Sequence, residues 1–150
     1  MRVVIQCVSE ASVRIDGQIY SQIQKGLLIF LGVEHSDTEK DVEWISKKIV
    51  NLRIFLDENN QMNKSVIDIK GQLLVVSQFT LHSKTKKGNR PSFIKAARPE
   101  FAKPLYEAFL KRLSVHSQSL VLTGKFGANM QVNLCNDGPT TLIIDSKNKD

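Results

Sequence analysis

The stretch Leu73-Leu74-Val75-Val76-Ser77-Gln78-Phe79-Thr80-Leu81 is apolar over its first four residues and largely polar afterwards. Four consecutive apolar residues are typical of a strand that is buried on both faces. Folds commonly place reactive groups at the open end of such a strand, where Ser77, Gln78 and Thr80 can line a pocket. The same residue types are ordinary at turns, so this segment alone leaves both interpretations open.

Local patterns on either side of this stretch predict further elements. Asp16-Gly17 lies between two alternating runs and predicts a hairpin. Ser36, with Glu39 three residues later, predicts a capping box for a helix over residues 37–51. Pro99 is expected to open a second long helix.

The order of the predicted elements favours one α/β domain with mixed β-sheets. The predicted strands cover residues 2–8, 12–15, 18–23, 26–33, 53–56, 72–81, 119–123, 131–135 and 141–145. Strands at both ends with two helices between them predict a single domain over residues 1–150. Its polar tail, residues 146–150, is expected to fray.

Basic residues are concentrated in the second half of the chain. Residues 1–75 carry nine basic and ten acidic side chains, a net charge of −1, whereas residues 76–150 carry twelve and five, a net charge of +7. Four of the basic residues crowd a loop without helical pattern directly after the polar segment: Lys84, Lys86, Lys87 and Arg90. Basic loops often hold phosphates without reading sequence, so this loop predicts contact with RNA.

Composition also argues against several classes of protein. No stretch approaches the roughly 18 consecutive apolar residues of a membrane span, and no signal-like segment opens the chain, so we expect a cytoplasmic protein without membrane contact. Cys7 and Cys135 lie far apart in strand-like runs and are expected to be buried free thiols. The three histidines are scattered and no glycine-rich nucleotide loop is present, so we expect no metal and no cofactor.

A second polar segment, Asn136-Asp137-Gly138-Pro139-Thr140, separates two apolar runs near the C-terminus. Its composition is typical of a tight turn, so by itself it predicts a hairpin between strands 131–135 and 141–145. About 5% of X-Pro bonds are cis in folded proteins, and a glycine before proline removes the side-chain clash. The sequence leaves the isomer of the Gly138-Pro139 bond open.

Together, the segments Ser77–Leu81 and Asn136–Thr140 resemble the D-aminoacyl-tRNA deacylase family. The resemblance extends over nearly the whole chain and includes residues 1–6, 26–33, 86–93 and 124–130. Thr140 is one departure, because the family more often has Val there. The resemblance implies a three-layer arrangement, with two sheets and helices covering one of them, and an obligate homodimer.

The same resemblance implies an enzyme that hydrolyses the ester joining a D-amino acid to the terminal ribose of tRNA. The residues that would then hold the ribose and the ester are Ser77, Gln78, Phe79 and Thr80. Met130 would line the adenine pocket, although core packing explains a methionine on a strand equally well. tRNA is therefore the expected partner, with phosphates held by the basic loop.

Chiral selection is implied at Gly138 and Pro139. In the family this step is cis, and one subunit projects it into the pocket of the other, where its carbonyl oxygens exclude an L side chain sterically. Glycine has no side chain to exclude, so glycyl-tRNA is expected to be cleaved as well.

Two mechanisms are compatible with the sequence. In the first, Thr80 is a nucleophile, and its base would have to be His82, which shares a face with it if the strand continues. In the second, the ribose 2′-hydroxyl helps to activate water while backbone amides near Phe79 and Thr80 stabilise the oxyanion. The second is favoured, because the sequence offers no convincing Ser-His-Asp or Cys-His set.

Two other functions compete with the deacylase. A non-catalytic RNA-binding module would explain the basic loop, although only Phe79 and Phe93 lie near it to stack on bases. A small-molecule esterase would not need the basic segment. Salt separates these functions, because turnover of tRNA should fall steeply with ionic strength and turnover of a small ester should not.

Overall fold

The structure is a computed structural model that describes residues 1–149. Asp150, which ends the predicted domain and tail, lies outside the described residues. The elements follow in the order β1 (Arg2–Ile15), β2 (Gln18–Ile23), β3 (Gly26–Gly32), α1 (Glu39–Asn51), β4 (Phe55–Leu56), β5 (Met62–Lys64), β6 (Gln72–Ser77), a 3₁₀ turn (Phe79–His82), α2 (Pro99–Ser117), β7 (Val121–Thr123) and β8 (Gln131–Asp145).

One six-stranded mixed sheet dominates the fold. Its path runs β2-β1-β3-β6-β7, with β8 paired to β1, and β4 and β5 form a separate ribbon. Strand β1 is antiparallel to β2, β3 and β8, whereas β6 is parallel to β3 and β7. Because residues 2–8 of β1 pair with β3 and residues 11–15 pair with β2, this long strand belongs to both halves of the sheet.

Two hydrophobic cores lie on opposite faces of β3 and β6. Leu27 and Ile29 of β3 pack in the first core with Phe109 of α2. Leu28, which points the other way, packs in the second core with Val13 from the far half of β1. The predicted α/β class with helix, sheet and sheet layers is confirmed, and one curled sheet supplies both sheet layers.

The predicted hairpin at Asp16-Gly17 is confirmed. Both residues have positive φ, 51° and 78°, as a two-residue hairpin turn of type I′ requires. The predicted break between strands 2–8 and 12–15 is wrong. Pairing with β8 holds β1 extended throughout, and the interruption is reduced to shifts of register.

The first helix begins later than predicted, at Glu39. Thr38 is its N-cap, and its backbone N–H donates to the Asp41 carboxylate at 2.9 Å. Ser36, the predicted cap, instead donates its hydroxyl to the Glu34 side chain. The sequence therefore predicted a capping box correctly but placed its N-cap two residues too early.

The tail predicted over 146–150 is not frayed where β8 ends. Ser146 is buried, accepts a hydrogen bond from the Met1 amino group at 2.9 Å and donates to Asp41 at 2.7 Å. Lys147 donates to the same Asp41 carboxylate at 2.8 Å. Although burial acts to raise it, these hydrogen bonds hold the pKa of Asp41 well below its ordinary value.

Candidate functional site

A cleft of about 580 Å³ opens where β6 ends. Its walls come from the end of β6, from the start of α2 with the segment before it, and from the loop that precedes β8. The lining residues that matter most are Ser77, Gln78, Phe79, Phe93, Tyr106 and Met130. No lining side chain in the described part of the chain is charged. The cleft is therefore largely apolar, with a few uncharged polar groups in its walls.

The strand predicted over 72–81 is correct only as far as Ser77, where β6 ends. Its neighbour β3 ends at Gly32, so the chain has no further strand on that side with which to pair. Residues Phe79–His82 form a turn of 3₁₀ helix instead. We call Ser77–His82 the cradle segment.

Three of the four predicted catalytic residues lie together. Ser77, Gln78 and Phe79 line the cleft, whereas Thr80 does not. The Gln78 side-chain amide donates to the Thr80 hydroxyl, so the two polar side chains are nevertheless in contact. Phe79 is 57% exposed at the mouth of the cleft.

His82 does not share a strand face with Thr80, because the chain is helical there. Its side chain is buried, and its Nδ1 lies 3.9 Å from the Glu34 carboxylate. The imidazole therefore contacts Glu34, and the strand geometry that would make it a base for Thr80 is absent.

The start of the 3₁₀ turn leaves two backbone donors free. The N–H groups of Phe79 and Thr80 belong to the first turn and have no partner within it. Neither donates to any other acceptor in residues 1–149. Phe79 lines the cleft and Thr80 follows it directly, so these two neighbouring donors are available to bind an oxygen atom of a ligand.

Gly32 allows the cradle segment to lie close against β3. A Cβ added at Gly32 would lie 2.9 Å from the Gln78 carbonyl oxygen and 3.0 Å from the His82 ring. Any larger residue would therefore push the segment away. No local pattern indicates this role, because the contact joins residues that lie far apart along the chain.

Arg2 holds the far end of the cradle segment. Its Nη1 donates to the Leu81 carbonyl at 2.8 Å, while Nε and Nη2 donate to the Asp145 carboxylate at 2.9 and 2.7 Å. Burial acts to raise the pKa of Asp145, but hydrogen bonds from the Lys147 N–H and from Arg2 keep it below its ordinary value. One guanidinium thus connects the cradle segment with the ends of β1 and β8.

The basic loop begins and ends at the mouth of the cleft. Lys84 and Ser92 close it with reciprocal backbone hydrogen bonds of 2.8 and 3.0 Å. The next residue, Phe93, meets Phe79 edge to face, with 5.1 Å between ring centroids. All four basic residues predicted to bind RNA are exposed: Lys84, Lys86, Lys87 and Arg90.

The hairpin predicted between strands 131–135 and 141–145 is wrong, because both runs belong to β8 and pair with β1. A long partner strand keeps the chain running in one direction, and the turn residues form an outward excursion instead. We call Asn136–Thr141 the projecting segment. Its Gly138-Pro139 bond is cis, both residues are exposed, and neither lines the cleft of its own chain.

Met130 lies where both of its predicted roles remain open, because its side chain lines the cleft and also packs against the second core. Its predicted contact with adenine stays a prediction.

The two cysteines differ from each other. Burial, with the nearby negative charge of Asp137, raises the pKa of the Cys7 thiol to about 11. Cys7 therefore stays protonated at neutral pH and is a poor nucleophile. The expected burial of Cys135 is wrong, because its position on β8 faces outward.

No group of three or more His, Cys, Asp or Glu within residues 1–149 is arranged to hold a metal ion. No helix over the same residues is long and apolar enough to cross a membrane.

Comparison with known proteins identifies the family. The sequence profile of D-Tyr-tRNA(Tyr) deacylase matches residues 4–145. The chain belongs to this deacylase family. It is 61% identical to a D-aminoacyl-tRNA deacylase of Bacteroides fragilis and 60% identical to one of Flavobacterium psychrophilum, in both cases over the full length of both chains. It is therefore an enzyme, a hydrolase with D-aminoacyl-tRNA deacylase activity, and the resemblance seen in the sequence is confirmed.

Solved structures agree with the deacylase fold. The structure of a c-Myc DNA Unwinding Element Binding Protein matches with a TM-score of 0.90 at 42% identity, covering 97% of this chain and 98% of the other. A probable eukaryotic D-amino acid tRNA deacylase matches with a TM-score of 0.83 at 16% identity, covering 95% and 97%. At 16% identity, the second match supports the fold alone.

Proposed function

We propose that the cleft binds the aminoacylated end of tRNA and that the cradle segment holds the ribose and the ester. The observation that carries this proposal is the pair of free N–H groups on Phe79 and Thr80 beside an uncharged cleft. As water attacks the ester, its carbonyl oxygen becomes an oxyanion, and preorganised backbone donors stabilise that charge. Ser77 and Gln78 supply side-chain contacts to the ribose.

The attacking group in this proposal is water, activated by the ribose 2′-hydroxyl. The new bond forms between the water oxygen and the ester carbon, the bond to the ribose oxygen breaks, and the ribose oxygen takes up a proton. Free tRNA and a D-amino acid leave. Thr80 as nucleophile is disfavoured because its hydroxyl accepts from the Gln78 amide, and no hydrogen bond joins that hydroxyl to His82 among residues 1–149.

Single-turnover deacylation by a Thr80→Ala variant tests this mechanism. We expect the variant to keep most of the parent rate, because neither the backbone donors nor the substrate hydroxyl is removed. Recovery of an acyl-Thr80 species from an acid-quenched reaction would contradict water attack.

Chirality is proposed to be read by Gly138 and Pro139 of a second copy of the chain in a homodimer. Their exposure, and their absence from the cleft of their own chain, leave them available to a partner. A backbone wedge excludes an L side chain without contacting a D side chain, and a ten-thousand-fold preference needs about 5.6 kcal/mol. Glycyl-tRNA should escape the wedge and be cleaved.

Matched D-tyrosyl-, L-tyrosyl- and glycyl-tRNA test the wedge. We expect hydrolysis of the first and third only. Equal rates on D- and L-tyrosyl-tRNA would contradict the wedge, and so would resistance of glycyl-tRNA at high enzyme concentration. Full activity of an enzyme that light scattering shows to be a monomer would contradict it as well.

The basic loop is proposed to hold tRNA phosphates at the mouth of the cleft, in a cytoplasmic enzyme. Substituting Lys86 and Lys87 by Gln should lower kcat/KM for tRNA and flatten its salt dependence, since each lost phosphate contact reduces counterion release. Hydrolysis of a small aminoacyl ester by the same variant should not change.

A second candidate function is binding of nucleic acid without turnover. The exposed basic loop and the Phe79–Phe93 pair favour it, and a relative at 42% identity is named for binding a DNA element. A competition assay tests whether nucleic acid binds at the deacylase site or at a separate one. If the site is the same, unacylated tRNA should inhibit turnover of D-tyrosyl-tRNA more strongly than single-stranded DNA of equal length does.

A further inference from the structure

The projecting segment interrupts the ladder between β1 and β8. Asn136 pairs with Val8 and Thr141 pairs with Gln6, so residues 137–140 lie opposite Cys7 alone. An antiparallel ladder normally matches residues one to one, and a bulge of this size leaves backbone groups at its base without ladder partners. Something else must bind those groups if the segment is to keep one position.

The Asn136 side chain supplies these missing contacts. Its Nδ2 donates to the Cys7 carbonyl of β1 at 3.0 Å and to the Thr140 carbonyl at 3.0 Å. One amide group therefore uses both of its N–H bonds, one across the sheet and one across the base of the projecting segment.

Two further side chains orient this amide. The Thr141 hydroxyl lies 3.4 Å from Asn136 Oδ1, as a donor, and itself accepts from Gln6 Nε2 at 3.2 Å. The carbonyl end of the amide is thereby directed away from the two backbone carbonyls. Aspartate at the same position has no hydrogen to donate and would place a negative charge beside both of them.

We propose that Asn136 is a positioning residue for chiral selection, because it closes the base of the segment that carries Gly138 and Pro139. This inference rests on the proposed role of that step as a wedge. A wedge rejects an L side chain only while it cannot move aside, so looser anchoring should admit L substrates more than it slows D substrates.

The test compares Asn136→Asp with Asn51→Asp. Asn51 also donates through Nδ2 to a backbone carbonyl, that of Lys47 at 2.8 Å, but does so on the exposed end of α1. Single-turnover rates on D- and L-tyrosyl-tRNA, the melting temperature and the oligomeric state are measured for each. We expect the D/L rate ratio to fall at least about tenfold in Asn136→Asp and to stay at the parent value in Asn51→Asp.

A parent-like ratio in a folded, correctly assembled Asn136→Asp enzyme overturns the inference. If that variant does not fold, Thr141→Val decides, because it removes the brace on the amide and the bond from Gln6 but leaves both donated bonds of Asn136. Its ratio should fall less, and an unchanged ratio also overturns the inference. Gly138→Ala separates the two proposals. Gly138 has a φ of 117° and an added Cβ would lie 2.7 Å from the Thr140 hydroxyl, so this variant distorts the wedge directly. If Gly138→Ala changes the ratio and Asn136→Asp does not, the wedge stands and the role of Asn136 fails; if neither changes it, the wedge itself fails.

Discussion

The cradle segment and the projecting segment both depart from strands of one sheet, but they leave it in different ways. The cradle segment begins at the last residue of β6, continues as 3₁₀ helix and lines a cleft of its own chain. The projecting segment lies within β8, returns to the same partner strand and turns its two central residues outward.

Their anchoring differs correspondingly. Distant residues hold the cradle segment, namely Gly32 by close approach and Arg2 by a hydrogen bond to Leu81. The projecting segment is held at its base by its own residue Asn136. This contrast indicates that damage to the cradle should reduce the rate for every substrate, whereas damage to the projecting segment should alter the choice between substrates.

Gly32→Ala is expected to have the largest effect, a loss of about 100-fold in kcat for D-tyrosyl-tRNA. The new Cβ would lie 2.9 Å from the Gln78 carbonyl, so the backbone donors of the cradle must move. Rates on D- and L-tyrosyl-tRNA are measured under single turnover. The D/L ratio should stay near that of the parent enzyme.

Gly17→Ala is the matched control for this change. Gly17 has a φ of 78° but has no atom within 4 Å of an added Cβ, so the same substitution strains a remote turn and leaves the cleft alone. A Gly32→Ala enzyme as active as Gly17→Ala would show that the cradle tolerates displacement.

Arg2→Gln should lower kcat by about tenfold with little change in KM, because the Leu81 carbonyl loses its donor and the cradle loosens without losing a substrate contact. Arg53→Gln removes a similar bond, from Nε to the Asn63 carbonyl at 3.0 Å, on the separate β4–β5 ribbon, and should be silent. Steady-state kinetics of both variants test this expectation. An equal loss of kcat in the two variants would show that Arg2 contributes to general stability and not to the position of the cradle segment.

Asp41→Asn should have the smallest effect, about 1 kcal/mol of unfolding free energy at pH 7, with an unchanged D/L ratio. Because the pKa of Asp41 is depressed in the folded protein, its contribution is fully present above the unfolded value near 3.8. It is lost progressively as the pH falls from that value through the lower folded pKa. Denaturant melts of parent and variant should therefore converge in acid. A changed D/L ratio would show that the end of β8, and not Asn136 alone, anchors the projecting segment.

The sequence predicted those features that local chemistry controls. Asp16-Gly17 forms the expected turn because two positive φ angles suit those residues wherever they occur. Ser77, Gln78 and Phe79 line a cleft, as expected for residues at the open end of a buried strand.

The wrong predictions came from partners that lie far away in sequence. Asn136–Thr140 has the composition of a turn, but β1 pairs on both sides of it and turns the hairpin into an excursion. The roles of Gly32 and Arg2 left no local signal, since each depends on which backbone atom the fold brings near. Asn136 belongs to the second polar segment, but its two acceptors, the carbonyls of Cys7 and Thr140, became apparent only with the register known.

The Lys84–Ser92 closure places the basic loop at the entrance of the cleft, outside the place where the proposed reaction occurs. If the basic loop holds tRNA phosphates as proposed, its contacts are the same for a D- and an L-amino acid. They are also the same before and during the reaction. A uniform contribution of this kind cancels from a ratio of rates. Such an enzyme can bind tRNA more tightly without becoming less discriminating, so its affinity and its fidelity are free to evolve separately.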